Sequence, residues 1–510
     1  MLFSSYPFIF AFLPVVLIGF FLLAKQGLFR PALGFLTVSS LFFYGYWNPV
    51  YLILIMSSIL VNYLLAIRIV DNHNNEAKHK HLLWLGLAFN IGLIGYFKYK
   101  NFFLDNLNGV FDLQLENVPV LLPLAISFFT FQQIAYLVDV YRDKQAERNF
   151  LNYALFISYF PQLIAGPIVH HRELLPQLRS QEIFKLNWTN IGAGLTIFSI
   201  GLFKKIMIAD NLAPSVHAVF GMAEAGQDIS LFVAWGGALA YTLQLYFDFS
   251  GYSDMAIGVA LMFNIHLPVN FLSPYKSKSI IEFWRRWHIT LSHFLRDYIY
   301  IPLGGNRAGE IKRMSNMMTT MLIGGLWHGA GWTFVLWGGL QGAYLVLNRM
   351  WIDFLATIKL SFIRELPGYW FLAGCLTFFC VILGWVLFRA ETLSGAMNLY
   401  HAMFSLDLVT LTPKYVDKVA NVLPFMAITP DAAASNIMGL DEAKMIVAGL
   451  LIAFFLPNVR EMFYLNKDKE KKWYRLVWKP SLFWVLVALV ALCSSIMSMT
   501  NVSDFLYFQF

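Results

Sequence analysis

The sequence predicts an all-α protein that crosses a membrane many times, and three observations predict it. Of its 510 residues 58% are hydrophobic and only 13% are charged, with a mean hydropathy of +0.59, whereas soluble domains run at about 45–50% apolar and about 25% charged. Apolar segments recur from one end of the chain to the other, which argues for one membrane-embedded unit over residues 1–510 rather than a string of soluble domains. The 48 Phe, 24 Tyr and 15 Trp suit both lipid contact and the headgroup belts.

A span takes roughly 20 apolar residues. Candidates lie near 7–24, 31–47, 49–67, 82–97, 119–140, 150–169, 190–208, 231–248, 252–267, 317–347, 370–388, 445–458 and 480–498. Several are short or interrupted by Gly and Pro, so some are expected to be re-entrant and the count is about ten to thirteen. The first of them has its first lysine after the apolar run, at Lys25, and no cleavage pattern, so a retained span is expected rather than a signal peptide. No internal repeat stands out.

Orientation follows from the basic loops. Lys25 and Arg30 follow the first span; Arg68, Lys78 and Lys80 fall in the loop 68–81, and Arg142, Lys144 and Arg148 in the loop 142–149. Residues 466–480 hold Lys467, Lys469, Lys471, Lys472, Arg475 and Lys479. Placing these in the cytoplasm leaves both termini and the segment 391–444 outside. The net charge of +7 is spread over these loops, so it reads as membrane topology and not as a nucleic-acid footprint.

Residues 270–316 are too charged to cross lipid yet dense in aromatics. Helical spacing over Ile280–Tyr300 puts Glu282, Arg286, His293 and Arg296/Asp297 near one face, with Arg285, His288 and Ser292 beside them. One amphipathic helix at an interface or along a cavity is the expectation, ended by Pro302, Gly304 and Gly305.

Ionisable residues at membrane depth mark a site by default. Most of the eleven histidines do not qualify. His73, His79 and His81 belong to a polar basic loop and read as solvated; His170 and His171 read as interface anchors; His217, His266 and His401 lack distinctive company. No metal-type cluster of His, Cys, Asp and Glu is visible, and the three cysteines, Cys375, Cys380 and Cys493, read as small buried hydrophobes without a disulfide framework. Asp248 and Asp254 are embedded acids that need an arginine or backbone amides, and Asn264 and Asn270 are expected to bond across helices.

His328 differs. It sits in GGLWHGAGWTFVLWGGLQG, residues 324–342, where glycines allow close backbone approach, Gly325-x-x-x-Gly329 has helix-contact spacing, and Trp327 and Trp332 supply walls. A neutral imidazole there can act as a general base, or bond a neighbouring helix as a structural group; the residues themselves leave both open. His288, in EFWRRWHITLS, reads by itself as an interfacial histidine. Arg285 and Arg286 beside it suit an anionic group, such as lipid or coenzyme phosphates, or reach for headgroups. There is no G-x-S-x-G elbow, P-loop or dinucleotide fingerprint. A transporter, flippase or scaffold remains the rival class, although transporters spread polar residues over repeated helices and here they concentrate in one block.

Taken together, the stretch from YFDFSGYSDMA through EFWRRWHITLSHFLRDYIYIPLGGNR and the glycine–tryptophan run resemble the membrane-bound O-acyltransferase (MBOAT) family, its bacterial alginate O-acetylase branch in particular. LFSSYPFIFAFLPVVL and VLFRAETLSGAMNLYHAMF resemble that branch too, while 406–444 matches nothing in it. The resemblance implies a ring of transmembrane and re-entrant helices around a thin central funnel, with 244–342 as the catalytic core. It implies that His328 is the catalytic histidine and His288 the second conserved position. Trp287, Arg285, Trp327 and Asn306 are the further candidates for lining the substrate path, with no metal. It implies no bound cofactor but an acyl thioester co-substrate, acetyl-CoA, arriving from the cytoplasm of a bacterial inner-membrane protein. Its implied partners are membrane lipid, a polysaccharide acceptor such as alginate and a periplasmic O-acetyltransferase protein. Cellulose, peptidoglycan and teichoic acid are the competing acceptors.

Overall fold

A computed structural model describes the chain except residues 119, 165, 308, 412–415, 417–418, 422–427, 431–436, 464–475, 500–505 and 507–510. The described residues are overwhelmingly helical, with one two-stranded parallel ladder, Val409–Leu411 on Ile428–Pro430. Among the described residues five helices are long and apolar enough to cross a membrane: Pro7–Lys25, Val50–Asp71, Glu76–Phe111, Trp188–Glu224 and Pro367–Arg389. The protein is therefore an all-α multi-pass membrane protein. Of the basic run near the C-terminus, Lys467, Lys469, Lys471, Lys472 and Arg475 lie outside the described residues, as does much of 406–444.

The chain divides into two compact units. One comprises Met1–Phe203, Gly251–Val269 and Val477–Met499, the other Lys204–Ser250, Asn270–Leu476 and Thr500–Phe510. In the first unit, polar side chains join neighbouring spans. Asn90 Nδ2 donates to Asn62 Oδ1 at 2.6 Å, Gln133 Nε2 to Ser58 Oγ at 2.7 Å, and the Tyr153 hydroxyl to Gln133 Oε1 at 3.0 Å. Such pairs hold helices together where lipid offers no hydrophobic drive. Asn264 does bond across elements, donating to the Lys185 carbonyl at 2.6 Å and accepting from Asn190 at 2.9 Å. His79 departs from its expected solvated role. It is 5% exposed, with Nδ1 2.8 Å from the Ile69 carbonyl, Nε2 3.2 Å from the Tyr141 carbonyl and its ring stacked on Tyr141. Composition marked the loop as polar, but His79 lies on the inner side of the helix that leaves it.

Three expectations about elements are corrected. The two candidates 231–248 and 252–267 are one continuous helix, Leu231–Met262, because Ser250 and Gly251 do not break a helix whose flanks are apolar. The single candidate 317–347 is two helices, Glu310–His328 and Trp332–Thr357, parted at Gly329–Gly331. The expected amphipathic helix 280–300 is broken at Trp287 and His288 into Ile280–Arg286 and Ile289–Leu295, followed by a π turn, Arg296–Tyr300. Both breaks fall on the two histidine motifs.

Candidate active site

The second unit contains every residue of the site. Glu310–His328 and Trp332–Thr357 form a helical hairpin with His328 at its bend. The hairpin closes through glycines: a methyl on Gly338 would lie 2.4 Å from the Met321 carbonyl oxygen and 3.1 Å from Gly325 Cα. No side chain fits between backbones that close, so the helix contact foreseen at Gly325 is made with Gly338.

His328 is 4% exposed and sits in an aromatic cage. Its ring lies edge-on to Trp327 at 4.8 Å, Trp337 at 5.1 Å and Phe388 at 5.1 Å. Trp385 backs Trp337 at 5.9 Å and Phe388 at 5.5 Å. Phe388 and Trp385 come from Pro367–Arg389.

His288 is fully buried and stands at the break between two short helices with φ +43° and ψ +55°. A left-handed conformation is uncommon for any residue but glycine, although histidine takes it more often than most, and it persists when surrounding contacts over-determine it. Asn270 supplies them. Its carbonyl accepts from Ile289 N at 3.1 Å, and its Oδ1 accepts from Thr290 N at 3.2 Å and Thr290 Oγ1 at 2.8 Å. Asn270 thus bonds across elements as expected, and what it fixes is the His288 backbone. Ser279 caps the preceding helix by accepting from Glu282 N at 3.1 Å. The His288 ring meets Phe249 edge-on at 4.8 Å and Trp327 at 6.0 Å. Burial lowers its pKa from the ordinary histidine value, which keeps the imidazole neutral.

The structure therefore brings His288 and His328 onto one indole, Trp327. Trp287 stacks into the same aromatic block, 4.8 Å from Trp385 and 5.7 Å from Phe283. Arg285 and Asn306 lie elsewhere. Arg285 is exposed and lines a cavity of about 480 Å³ together with Trp284, Ile289, Ser292, Met321, Arg296 and Arg349. Asn306 is exposed and accepts a hydrogen bond from the Tyr300 hydroxyl at 2.6 Å. Sequence reasoning missed Trp337, Gln341, Trp385 and Phe388. Trp337 and Gln341 stood in the same run as His328, and their one-turn spacing was the available signal; nothing in the sequence pairs 385 and 388 with 328.

Asp248, expected to need an arginine or backbone amides, finds a lysine and one backbone amide. Lys205 Nζ lies 2.7 Å from Asp248 Oδ1 and 2.8 Å from Asp210 Oδ1, with all three side chains at most 8% exposed. Leu506 N also donates to Asp248 Oδ2 at 3.1 Å. Among the described residues no group of His, Cys, Asp and Glu is arranged to hold a metal ion.

Comparison with known proteins matches residues 143–388 to the profile of the membrane-bound O-acyltransferase family. The chain is 46% identical to a peptidoglycan O-acetyltransferase of Helicobacter pylori over 92% of its own length and 91% of the relative's. It is 38% identical over the whole length of both chains to a probable alginate O-acetylase of Pseudomonas putida. It is 26% identical to a teichoic acid D-alanyltransferase of Streptococcus thermophilus over 54% of this chain and 69% of that one.

Proposed function

The chain belongs to the membrane-bound O-acyltransferase family and is a membrane O-acyltransferase, and we propose that it moves acetyl groups from a cytoplasmic thioester across the membrane for O-acetylation of an extracytoplasmic polysaccharide. The observation that carries this reading is the pair of buried imidazoles, His328 and His288, packed on one indole inside an aromatic cage. His328 takes the proton of the incoming hydroxyl as that oxygen attacks the thioester carbon. A positioned general base contributes about 10²–10⁴-fold, and the surrounding rings keep water from the thioester.

The donor in this reading is acetyl-CoA. Its support is the cavity beside Trp284 and Met321, where apolar walls suit the pantetheine arm and Arg285 suits a phosphate. Arg285 makes no ion pair among the described residues, whereas Arg286 is held by Glu282 at 2.6 Å. In this reading the protein sits in a bacterial inner membrane with both termini outside, and its acetyl group passes through a periplasmic O-acetyltransferase partner to an alginate-like polymer. A second acceptor, a peptidoglycan sugar, is favoured by the 46% identity to the Helicobacter pylori enzyme.

The test is ester content. Deleting the gene should remove O-acetyl esters from one extracted polymer, uronate polymer or peptidoglycan, and restoring it should return them. Unchanged esters in every envelope polymer would end the proposal.

A further inference from the structure

Trp337 and Gln341 lie one turn apart on Trp332–Thr357, each 1% exposed, and project on the same side of that helix. Trp337 stands edge-on to the His328 ring. Gln341 Oε1 accepts from Trp284 Nε1 at 3.2 Å, which turns its amide nitrogen the other way. That nitrogen and the Trp337 indole nitrogen converge on Gly384 of Pro367–Arg389. A methyl at Gly384 would lie 2.5 Å from Gln341 Nε2 and 3.6 Å from Trp337 Nε1. With no side chain at Gly384, both N–H groups approach that stretch of backbone, one turn before Phe388, which itself packs on His328.

Trp337 Nε1 is buried and has no hydrogen-bond partner among the described residues. Buried donors are almost always paired, and one that is not calls for an explanation. We propose that Trp337 Nε1 and Gln341 Nε2 form the oxyanion site of the acyl transfer, receiving the thioester carbonyl oxygen beside Gly384.

This inference rests on the acetyl-transfer reading. The acceptor oxygen bonds to the thioester carbon, the carbonyl π pair moves onto oxygen, and His328 takes the hydroxyl proton. The oxyanion, held by the two N–H groups, then collapses. The C–S bond breaks, its pair leaves on sulfur, and His328 returns the proton to the thiolate. An ester and a thiol result. Preorganised donors of this kind act where charge develops, and removing one typically costs about 10²–10³-fold in kcat.

The experiment uses the full chain in lipid nanodiscs with acetyl-CoA carrying a ¹³C thioester carbonyl. Trp337→Phe keeps the ring and its packing but removes the N–H. Gln341→Glu keeps the acceptor for Trp284 and removes the amide donor. The expected result is a fall in kcat of about 10²-fold for each, with KM for acetyl-CoA little changed. The infrared carbonyl band of bound donor, lowered in the wild type, should move back toward its position in water in Trp337→Phe. A W337F variant with wild-type kcat, or a wild-type carbonyl band that binding does not lower, overturns the proposal. Donor that binds to the wild type with a lowered band but is never transferred would instead count against the acetyl-transfer reading.

Discussion

His288 and His328 flank the same indole, with the Trp327 ring 6.0 Å from the first imidazole and 4.8 Å from the second. One wall serves both, so a change at either imidazole reaches the other through Trp327. Groups that act as a unit lose activity non-additively.

His328→Ala is accordingly expected to abolish polymer acetylation in a protein that still inserts and folds. His288→Ala should be severely impaired with residual turnover, and the double variant no worse than His328→Ala. Ester content of the extracted polymer beside a thermal melt decides the matter; normal acetylation in His328→Ala would refute the assignment.

The His288 backbone separates its structural from its chemical role. At φ +43° glycine is at ease and alanine is not, and a residue held in such a conformation costs about 1–3 kcal/mol. His288→Gly should therefore melt above His288→Ala while both stay impaired in acetylation. Equal melting temperatures would mean that Asn270 does not impose this backbone.

Arg285 and Arg286 are neighbours with different surroundings. Arg285→Ala should raise KM for acetyl-CoA with kcat nearly unchanged, the pattern for lost uniform binding. Arg286→Ala, which frees Glu282 and the Leu272 carbonyl, should leave KM alone. Equal KM effects in a steady-state assay would remove the phosphate role given to Arg285.

How much of this was legible in the sequence differs by residue. The all-α membrane class was readable, and His328 stood out because an imidazole in a glycine- and tryptophan-rich apolar run is costly without a purpose; His288 read by itself as an interfacial histidine, and only the family resemblance singled it out. The break at His288 was hidden. Periodicity over 280–300 fits one helix, and what ends that helix is Asn270, a tertiary contact that local pattern does not encode. The cage was hidden for the same reason: Phe388 and Trp385 lie in an apolar span where aromatics are ordinary. Lys205 was not singled out at all, although a lysine followed by an apolar run and Asp210 was the available sign.

Lys205 stands between two carboxylates, both at most 8% exposed. Removing it with Lys205→Met leaves two buried acids facing each other. Breaking a buried pair by deleting one partner costs about 3–5 kcal/mol, so a fall in melting temperature and in membrane yield is expected. Adding Asp248→Asn should recover part of the loss, and a double variant as unstable as the single would show that the ion cluster is not its source.

Gly338 and Gly339 are adjacent but meet different neighbours. A methyl on Gly338 enters the hairpin seam, 2.4 Å from the Met321 carbonyl oxygen, whereas one on Gly339 meets only Leu322 Cδ2 at 3.5 Å, an ordinary contact. Overpacking costs about 1–3 kcal/mol, while replacing a helical glycine by alanine gains about 1 kcal/mol where space allows. Gly338→Ala should lower the melting temperature and, because the seam sets the bend that carries His328, lower acetylation with it. Gly339→Ala should hold or raise the melting temperature and keep activity. Melts and ester assays on the two variants side by side check both signs, and a Gly338→Ala protein as stable and active as wild type would mean that the helices do not meet at this seam.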